Sequence, residues 1–185
     1  MNGCFEHVPV LFDECMDGLK IKKDGIYVDC TAGGGGHSSG IVSRLGAEGK
    51  LISLDKDDEA LATCEARRKE IKDGGEWILV KSDFADLSDV LSELNIDKVD
   101  GILADLGVSS HQIDTPERGF SYGKDGPLDM RMDRSRSLSA AVVVNSYSKE
   151  ALEKIFRLYG EERYAGRIAD GIVSLPIRKS APATC

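Results

Sequence analysis

Hydrophobic positions along the chain fall into four short runs, separated by longer stretches of mixed polarity. The runs cover residues 26–30, 51–55, 77–81 and 99–105. The stretches between them have helical patterning, at residues 38–45, 58–71 and 87–94. Short apolar runs that alternate with helices are typical of a parallel sheet covered on both faces. The pattern therefore predicts an α/β fold with four parallel strands.

Turn and capping residues sharpen the limits of the second of these helices. Asp57 or Asp58 can accept a hydrogen bond from the free N–H groups of its first turn. Gly74 and Gly75 are expected to end it and to turn the chain toward the third strand.

The pattern changes after residue 105. Residues 106–137 hold six Gly or Pro residues and several charges, so we expect a loop-like segment. Helical spacing returns from 139 to about 174, with one apolar face formed by Leu152, Ile155, Phe156 and Tyr159. Residues 141–144 are ambiguous, because their β-branched side chains favour strands.

Composition narrows the class of protein. The 185 residues suit one domain, and 41% of them are hydrophobic, which is enough for a sizeable core. No apolar run approaches the roughly 20 residues of a membrane span, and the start of the chain lacks the pattern of a secretory signal. The five cysteines are odd in number and include no Cys-x-x-Cys pair. We therefore expect a cytoplasmic protein with reduced thiols and no metal site.

Charge is unevenly distributed. Residues 1–114 carry 12 basic and 23 acidic side chains, whereas residues 115–185 carry 12 basic and 9 acidic ones. The net charge of −8 therefore divides into −11 and +3. A basic face for a polyanion fits this division, and so do solvated helix faces with no partner.

A glycine-rich segment carries the first chemical indication. Residues 29–37 read Asp-Cys-Thr-Ala-Gly-Gly-Gly-Gly-His, after one predicted strand and before a helix. Glycines let the backbone approach a ligand closely. Asp55 ends the next strand, where an acid can bind both hydroxyls of a ribose. These features predict a nucleoside-containing cofactor, either a dinucleotide or S-adenosylmethionine, although a tight turn alone would also require glycine.

Several later motifs stand in a fixed order along the chain. They are His-x-Pro-Val-Leu at 7–11, Asp-Gly-Ile-Leu-Ala-Asp-Leu-Gly-Val-Ser-Ser at 100–110, Gln112, Arg-Gly-Phe-Ser at 118–121, Gly-Pro-Leu-Asp-Met-Arg-Met at 126–132 and Tyr-Gly-Glu-Glu-Arg at 159–163. With the glycine-rich segment, they resemble the ribosomal RNA small subunit methyltransferase H (MraW) family, over about residues 6–184. The motifs after residue 105 disfavour the alternative of a nicotinamide oxidoreductase.

The resemblance implies an S-adenosylmethionine-dependent methyltransferase with a Rossmann-like fold. It implies a cofactor-binding part at 1–114 and a loop and helical inserted subdomain at 115–185. The family methylates the exocyclic N4 amine of a cytosine in 16S rRNA, so small-subunit rRNA or the small ribosomal subunit is the implied partner. The implied cofactor contacts are Gly35, Gly36, His37, Asp55, Phe84, Asp105 and Gln112.

Each of these residues could contact the cofactor, and each could also have a purely structural role. Gly35 and Gly36 would admit the methionine part of the cofactor, His37 could bind its carboxylate, and Phe84 could stack on adenine. Turn geometry, helix capping and core packing would equally explain the same residues. Gln112 offers both a donor and an acceptor for an adenine or ribose edge. A solvated loop amide is the other reading of Gln112.

Asp105 is the implied catalytic candidate. The lone pair of a cytosine amine is delocalised into the ring, so an acceptor that holds one N–H would turn the lone pair toward the methyl group. Many amine methyltransferases place Asp/Asn-Pro-Pro-aromatic here, whereas this chain has Asp105-Leu106-Gly107-Val108. Whether Asp105 serves the cofactor, the base or both stays open.

The segment after residue 114 offers side chains for RNA. Phe120 and Tyr122 are candidate stacking surfaces, and the candidate phosphate contacts are Arg118, Arg131, Arg134 and Arg136. Ordinary loop packing and solvated charge are the alternative, and Asp129 could simply pair with one of these arginines.

Family members continue well beyond residue 185 and supply further sheet strands. We therefore expect an incomplete sheet in a chain that is truncated at its C-terminus. An unpaired sheet edge exposes free backbone groups, so self-association through that edge is one expectation. A truncated, non-catalytic module that binds cofactor or RNA is the alternative function.

Overall fold

The computed structural model describes residues 9–174. The chain forms two compact units, Met1–Ser109 and Ser110–Cys185. The boundary lies close to the predicted one at 114. Parts of the motif at 7–11 and of the subdomain at 115–185 lie outside the described residues. No helix in the described part is long and apolar enough to cross a membrane.

A parallel four-stranded sheet forms the centre of the first unit, as predicted. Its strands are β1 Ile26–Asp29, β2 Lys50–Asp55, β3 Glu76–Lys81 and β4 Gly101–Leu103, in the order β3-β2-β1-β4. The fourth strand is shorter than the predicted 99–105. Among the described residues it pairs only with β1, and the last pair of that ladder joins Asp29 to Leu103. Asp105 therefore lies in the loop after β4 rather than at the strand end.

Four α-helices complete the first unit. They are α1 Phe12–Leu19, α2 Gly36–Val42, α3 Asp58–Glu70 and α4 Leu87–Glu93, the last preceded by a 3-10 turn at Phe84–Asp86. Asp57 caps α3 by accepting a bond from the Glu59 N–H at 3.1 Å, as expected. Gly74 does not end this helix, because Ile71 already leaves it with an extended backbone. Instead Gly74, at a φ of 150°, shapes the turn into β3.

Strand register sorts the core into two faces. Tyr27, Leu51 and Trp77 are neighbours across β1, β2 and β3, and they pack on one face with residues of α1, α2 and α3. Val28 and Ile52 lie on the opposite face, where residues of α4 cover them. The sheet thus has helices on both faces, which is why its central strands are almost wholly apolar.

The outer strands β3 and β4 are the edges of this sheet. Ile102 of β4 is the register partner of Val28, yet it is 51% exposed. Leu106 and Val108, in the loop that follows, are exposed as well. Self-association through this edge stays a prediction.

The second unit is mostly helical. Its helices are α5 Ser110–Asp114, α6 Ala140–Ser146, α7 Lys149–Tyr159 and α8 Ala165–Ser174, with a 3-10 turn at Pro116–Arg118. The ambiguous residues 141–144 are helical, because the Ser139 hydroxyl caps α6 by accepting from the Val142 N–H at 3.3 Å. The segment 106–137 is loop-like, as predicted, except for α5 and the 3-10 turn.

Candidate functional site

Three acidic residues follow or end neighbouring strands at one edge of the sheet. Asp29 ends β1, Asp55 ends β2, and Asp105 lies two residues after β4. Carboxyl ends of parallel strands share one edge, and open α/β sheets bind ligands there. The glycine-rich loop between β1 and α2 lies at the same edge.

The carboxylate of Asp55 holds the glycine-rich loop in place. Its Oδ2 accepts the Gly33 N–H at 2.9 Å, and its Oδ1 accepts the Asp57 N–H at 2.9 Å. An ionised carboxylate has about four acceptor positions, so Asp55 keeps capacity for two ribose hydroxyls. Asp55 therefore shapes the loop, and its role in binding ribose stays a prediction.

A second carboxylate, that of Asp29, also holds the loop. The sequence motifs did not single out this residue. Asp29 is fully buried, and it accepts the Ser38 hydroxyl at 2.6 Å and the Thr31 N–H at 3.1 Å. Ser38 in turn contacts the Ser53 hydroxyl at 2.8 Å, which accepts the Trp77 indole N–H at 2.8 Å. The acid at the end of the strand, four residues before the first glycine, was the available indication of this role.

The hydrogen bonds of this buried network can all run in the same direction. Trp77 donates to Ser53, Ser53 donates to Ser38, and Ser38 donates to Asp29. Asp29 is the final acceptor of this network. Burial raises the pKa of Asp29, and the Ser38 hydroxyl opposes that shift. The network therefore offsets part of the cost of burying the charged form of Asp29.

The four glycines of the loop divide into two pairs. A side chain at Gly35, where φ is 77°, would meet the Cys64 Sγ and the Arg67 Cδ, each at 3.1 Å, and one at Gly36 would meet the Pro9 ring. A Cβ at Gly34 would have no described atom within 4 Å, and one at Gly33 would meet only a carbonyl at 3.8 Å. The open surface therefore lies over Gly33 and Gly34, while packing explains the glycines at 35 and 36.

His37 is buried in the first turn of α2 and already has a partner. Its Nε2 donates to the Val10 carbonyl at 3.1 Å, and its ring stacks on Phe12 with centroids 6.1 Å apart. In a neutral ring the remaining Nδ1 is an acceptor. His37 could therefore donate to a cofactor carboxylate only if its ring carried both protons.

Phe84 presents a half-exposed ring after β3. The ring is 44% exposed, and the Lys56 ammonium lies 5.8 Å from its centroid. Lys56 also pairs with Asp83 at 2.8 Å, and Asp83 accepts the Ala85 N–H at 3.1 Å. Lys56 thus links the end of β2 to the turn that carries Phe84 and restrains the orientation of the ring.

Asp105 is positioned through its backbone rather than its side chain. Its N–H donates to the Thr31 hydroxyl at 2.7 Å, and the Thr31 N–H is the one that Asp29 accepts. The Asp105 side chain is exposed and forms no hydrogen bond or ion pair with the residues at 9–174. The carboxylate is therefore available to a ligand at this edge.

Gln112 belongs to the second unit. It lies in α5 and is buried. Its contact with the cofactor stays a prediction.

Two of the arginines considered for RNA have structural tasks instead. Arg118 is buried and donates to the carbonyls of Arg131 and Met132 at 3.0 and 3.1 Å. Arg131 forms a two-point pair with Asp129 at 2.7 and 2.8 Å, which lowers the pKa of Asp129. The pairing of Asp129 with a nearby arginine is thus confirmed. Arg118 and Arg131 therefore stabilise the conformation of their own loop.

Within the described part of the chain, no three His, Cys, Asp or Glu side chains are grouped so that they could hold a metal ion.

Strand order and the loop-to-Asp55 contact define a Rossmann-like α/β domain with a ligand edge. The chain belongs to the MraW methylase family, whose model matches residues 4–184. The ribosomal RNA small subunit methyltransferase H of Clostridium botulinum strain Kyoto is 53% identical over 169 residues. The protein of the same name from strain Loch Maree is 52% identical over the same length.

Each of these alignments covers 91% of this chain and 54% of the relative. The chain therefore spans about half the length of the curated relatives that it matches. A crystal structure from Clostridium thermocellum is provisionally assigned as an rRNA-methylase. Its alignment covers 42% of this chain and 44% of the solved chain. At 22% identity and a TM-score of 0.39, that overlap is too partial to bear on the fold.

Replacing Ser38 with alanine should lower the free energy of unfolding by about 1–3 kcal/mol, because buried Asp29 loses a donor. Since burial raises the pKa of Asp29, the folded chain binds the proton of the Asp29 carboxyl group more tightly than the unfolded chain does. Stability therefore falls as the pH rises through the folded-state pKa. Ser38 opposes that shift, so its loss should cost more near neutral pH than in mild acid.

Urea unfolding followed by the fluorescence of Trp77, the single tryptophan, measures this difference. Ser43→Ala is the matched control, because the exposed Ser43 hydroxyl bonds only the Ser39 carbonyl, at 2.7 Å. An equal loss in both variants, or a loss that is the same at both pH values, would contradict the assigned network.

Alanine substitutions should separate the two pairs of glycines. Gly35→Ala is expected to cost about 1–2 kcal/mol, because a side chain at positive φ is strained and crowds Cys64 and Arg67. Gly34→Ala should change stability by less than about 0.5 kcal/mol, because its side chain enters open space. The same urea titration measures both, and equal costs would show that the two positions do not differ in this way.

Proposed function

We propose that this chain binds S-adenosylmethionine at the carboxyl edge of its sheet and methylates the N4 amine of a cytosine in 16S rRNA. The observation that carries the proposal is the Asp55 carboxylate, which fixes the loop at Gly33 and keeps free acceptor positions beside open space. Membership of the MraW methylase family and the names of the relatives support the reaction and the RNA substrate. Such a reaction would take place in the cytoplasm, on rRNA or the small ribosomal subunit.

The residues at this edge suit the parts of that cofactor. Asp55 would accept the ribose hydroxyls, and the open backbone at Gly33 and Gly34 leaves room beside it. The face of Phe84 away from Lys56 would receive the adenine. Gly35, Gly36, His37 and Gln112 remain in the proposed set. For Gly35 and Gly36 the contact would come from the backbone, because protein fills the space at their Cα atoms.

Bound at this edge, the cofactor supplies an electrophilic methyl group. We assign Asp105 to the cytosine amine, because its exposed carboxylate has an accepting oxygen with no partner in the described chain. An accepted N–H fixes the amine so that its lone pair faces the methyl carbon. Alignment of this kind supplies much of the rate of a direct transfer, with no covalent enzyme intermediate. The target base must first leave its stack.

Asp55→Asn should weaken binding of S-adenosylhomocysteine by about tenfold to a hundredfold, since hydrogen bonds to a charged group contribute about 1.5–3 kcal/mol. The variant keeps the size of the side chain and one acceptor for the loop. It should bind an analogue whose ribose lacks both hydroxyls about as well as the parent chain does. Isothermal titration calorimetry with both ligands separates ribose binding from loop support.

Asp58→Asn is the matched control, because this neighbouring carboxylate is exposed and pairs with Lys81 at 2.7 Å. It should bind S-adenosylhomocysteine as the parent chain does. If Asp55→Asn weakened both ligands equally, Asp55 would act only through the loop.

Methyl transfer to small ribosomal subunits that lack the modification tests the reaction itself. With methyl-labelled S-adenosylmethionine, we expect label in N4-methylcytidine after digestion to nucleosides. Asp105→Ala should slow transfer by at least about a hundredfold, as expected when a positioned acceptor for the reacting amine is removed. The same variant should bind S-adenosylhomocysteine within about threefold of the parent chain, because the assigned role of Asp105 is toward the base.

Cofactor binding without any transfer would contradict the catalytic proposal. It would favour a module that holds the cofactor only, a reading that the half-length match to the relatives also permits. Label in another nucleoside would retain the methyltransferase but overturn the cytosine assignment. Unchanged transfer in Asp105→Ala would remove Asp105 from the reaction.

A further inference from the structure

An exposed tyrosine in the helical unit is flanked by two arginines. Tyr164 precedes α8 and is 51% exposed. The guanidinium carbon of Arg163 lies 5.4 Å from the centroid of its ring, and that of Arg167 lies 5.6 Å from it. Both distances are within the range of cation–π attraction. The three side chains therefore form one cationic, solvent-exposed cluster.

Two cations of the neighbouring helix α7 are paired with carboxylates. Arg157 pairs with Glu153 at 2.6 Å, and Lys149 pairs with Asp170 at 2.6 Å. By contrast, neither Arg163 nor Arg167 forms an ion pair with any residue in the described range. Glu162 accepts the Tyr164 backbone N–H at 2.6 Å, which fixes the backbone rather than neutralising an arginine.

This cluster combines the two contacts that unpaired nucleic acid needs. Bases that are free of a helix stack on aromatic rings and on guanidinium planes, and free guanidinium groups bind phosphates. A paired duplex would hide the base faces and could not use the ring. The cluster lies in the part of the chain, residues 115–185, whose net charge is +3.

We propose that Arg163, Tyr164 and Arg167 form a stacking platform for unpaired nucleotides of the RNA substrate. The proposal rests on the proposed function for its substrate class, but on separate residues for its chemistry. It also moves RNA recognition from Arg118 and Arg131, which hold their own loop, to two arginines that have no carboxylate partner among residues 9–174.

The test is fluorescence anisotropy of a labelled, short single-stranded RNA titrated with the whole chain, at several salt concentrations and without cofactor. Arg163→Gln combined with Arg167→Gln should weaken binding by about tenfold or more. It should also reduce the salt slope by about 1.4, because each phosphate that an arginine neutralises on a single strand contributes about 0.7 to that slope. Tyr164→Leu should weaken binding by about tenfold with the slope unchanged, because stacking carries no charge.

Arg157→Gln is the control, because Arg157 is exposed but paired with Glu153; it should bind RNA as the parent chain does. Far-ultraviolet circular dichroism verifies that each variant keeps its helices. The proposal is overturned if the parent chain does not bind the RNA, if the platform variants bind as well as the parent, or if duplex RNA binds equally well. Methyl transfer is measured separately, so a failed platform and a failed methyltransferase give different results.

Discussion

The glycine-rich loop depends on carboxylates at the ends of two neighbouring strands. Asp55, at the end of β2, accepts a hydrogen bond from the Gly33 N–H. Asp29, at the end of β1, accepts one from the Ser38 hydroxyl. The loop is thus tied at its middle and just beyond its end, where α2 begins. A loop held in this way loses little further freedom when a ligand binds, which favours affinity. The same carboxylates therefore serve the fold and the ligand edge together.

The strands, their parallel order and the cap of α3 were predictable, because they follow from apolar runs and from one acid before a helix. The roles of the glycines were not predictable. Four consecutive glycines look alike in sequence, but Gly35 is required by Cys64 and Arg67, which lie far along the chain. The partner of His37, the carbonyl of Val10, was likewise unpredictable from a local pattern. Only tertiary contacts tell such positions apart.

The roles of the arginines in the second unit were also not predictable from the sequence. An arginine in a loop is equally suited to a phosphate or to a backbone carbonyl, and composition does not distinguish them. Burial does, since Arg118 donates to carbonyls inside its own loop. Arg163 and Arg167 instead lie over an exposed ring. The basic balance of residues 115–185 does not by itself say which arginines are held inside the loop and which are exposed, and only the structure separates them.

A crystal structure of this chain with S-adenosylhomocysteine would show whether Asp55 binds the ribose. We expect both ribose hydroxyls within hydrogen-bonding distance of the Asp55 carboxylate, the adenine against Phe84, and the Gly33 N–H still bound to Asp55. A ligand bound away from the carboxyl ends of β1 and β2, or an Asp55 carboxylate turned away from the sugar, would contradict this expectation.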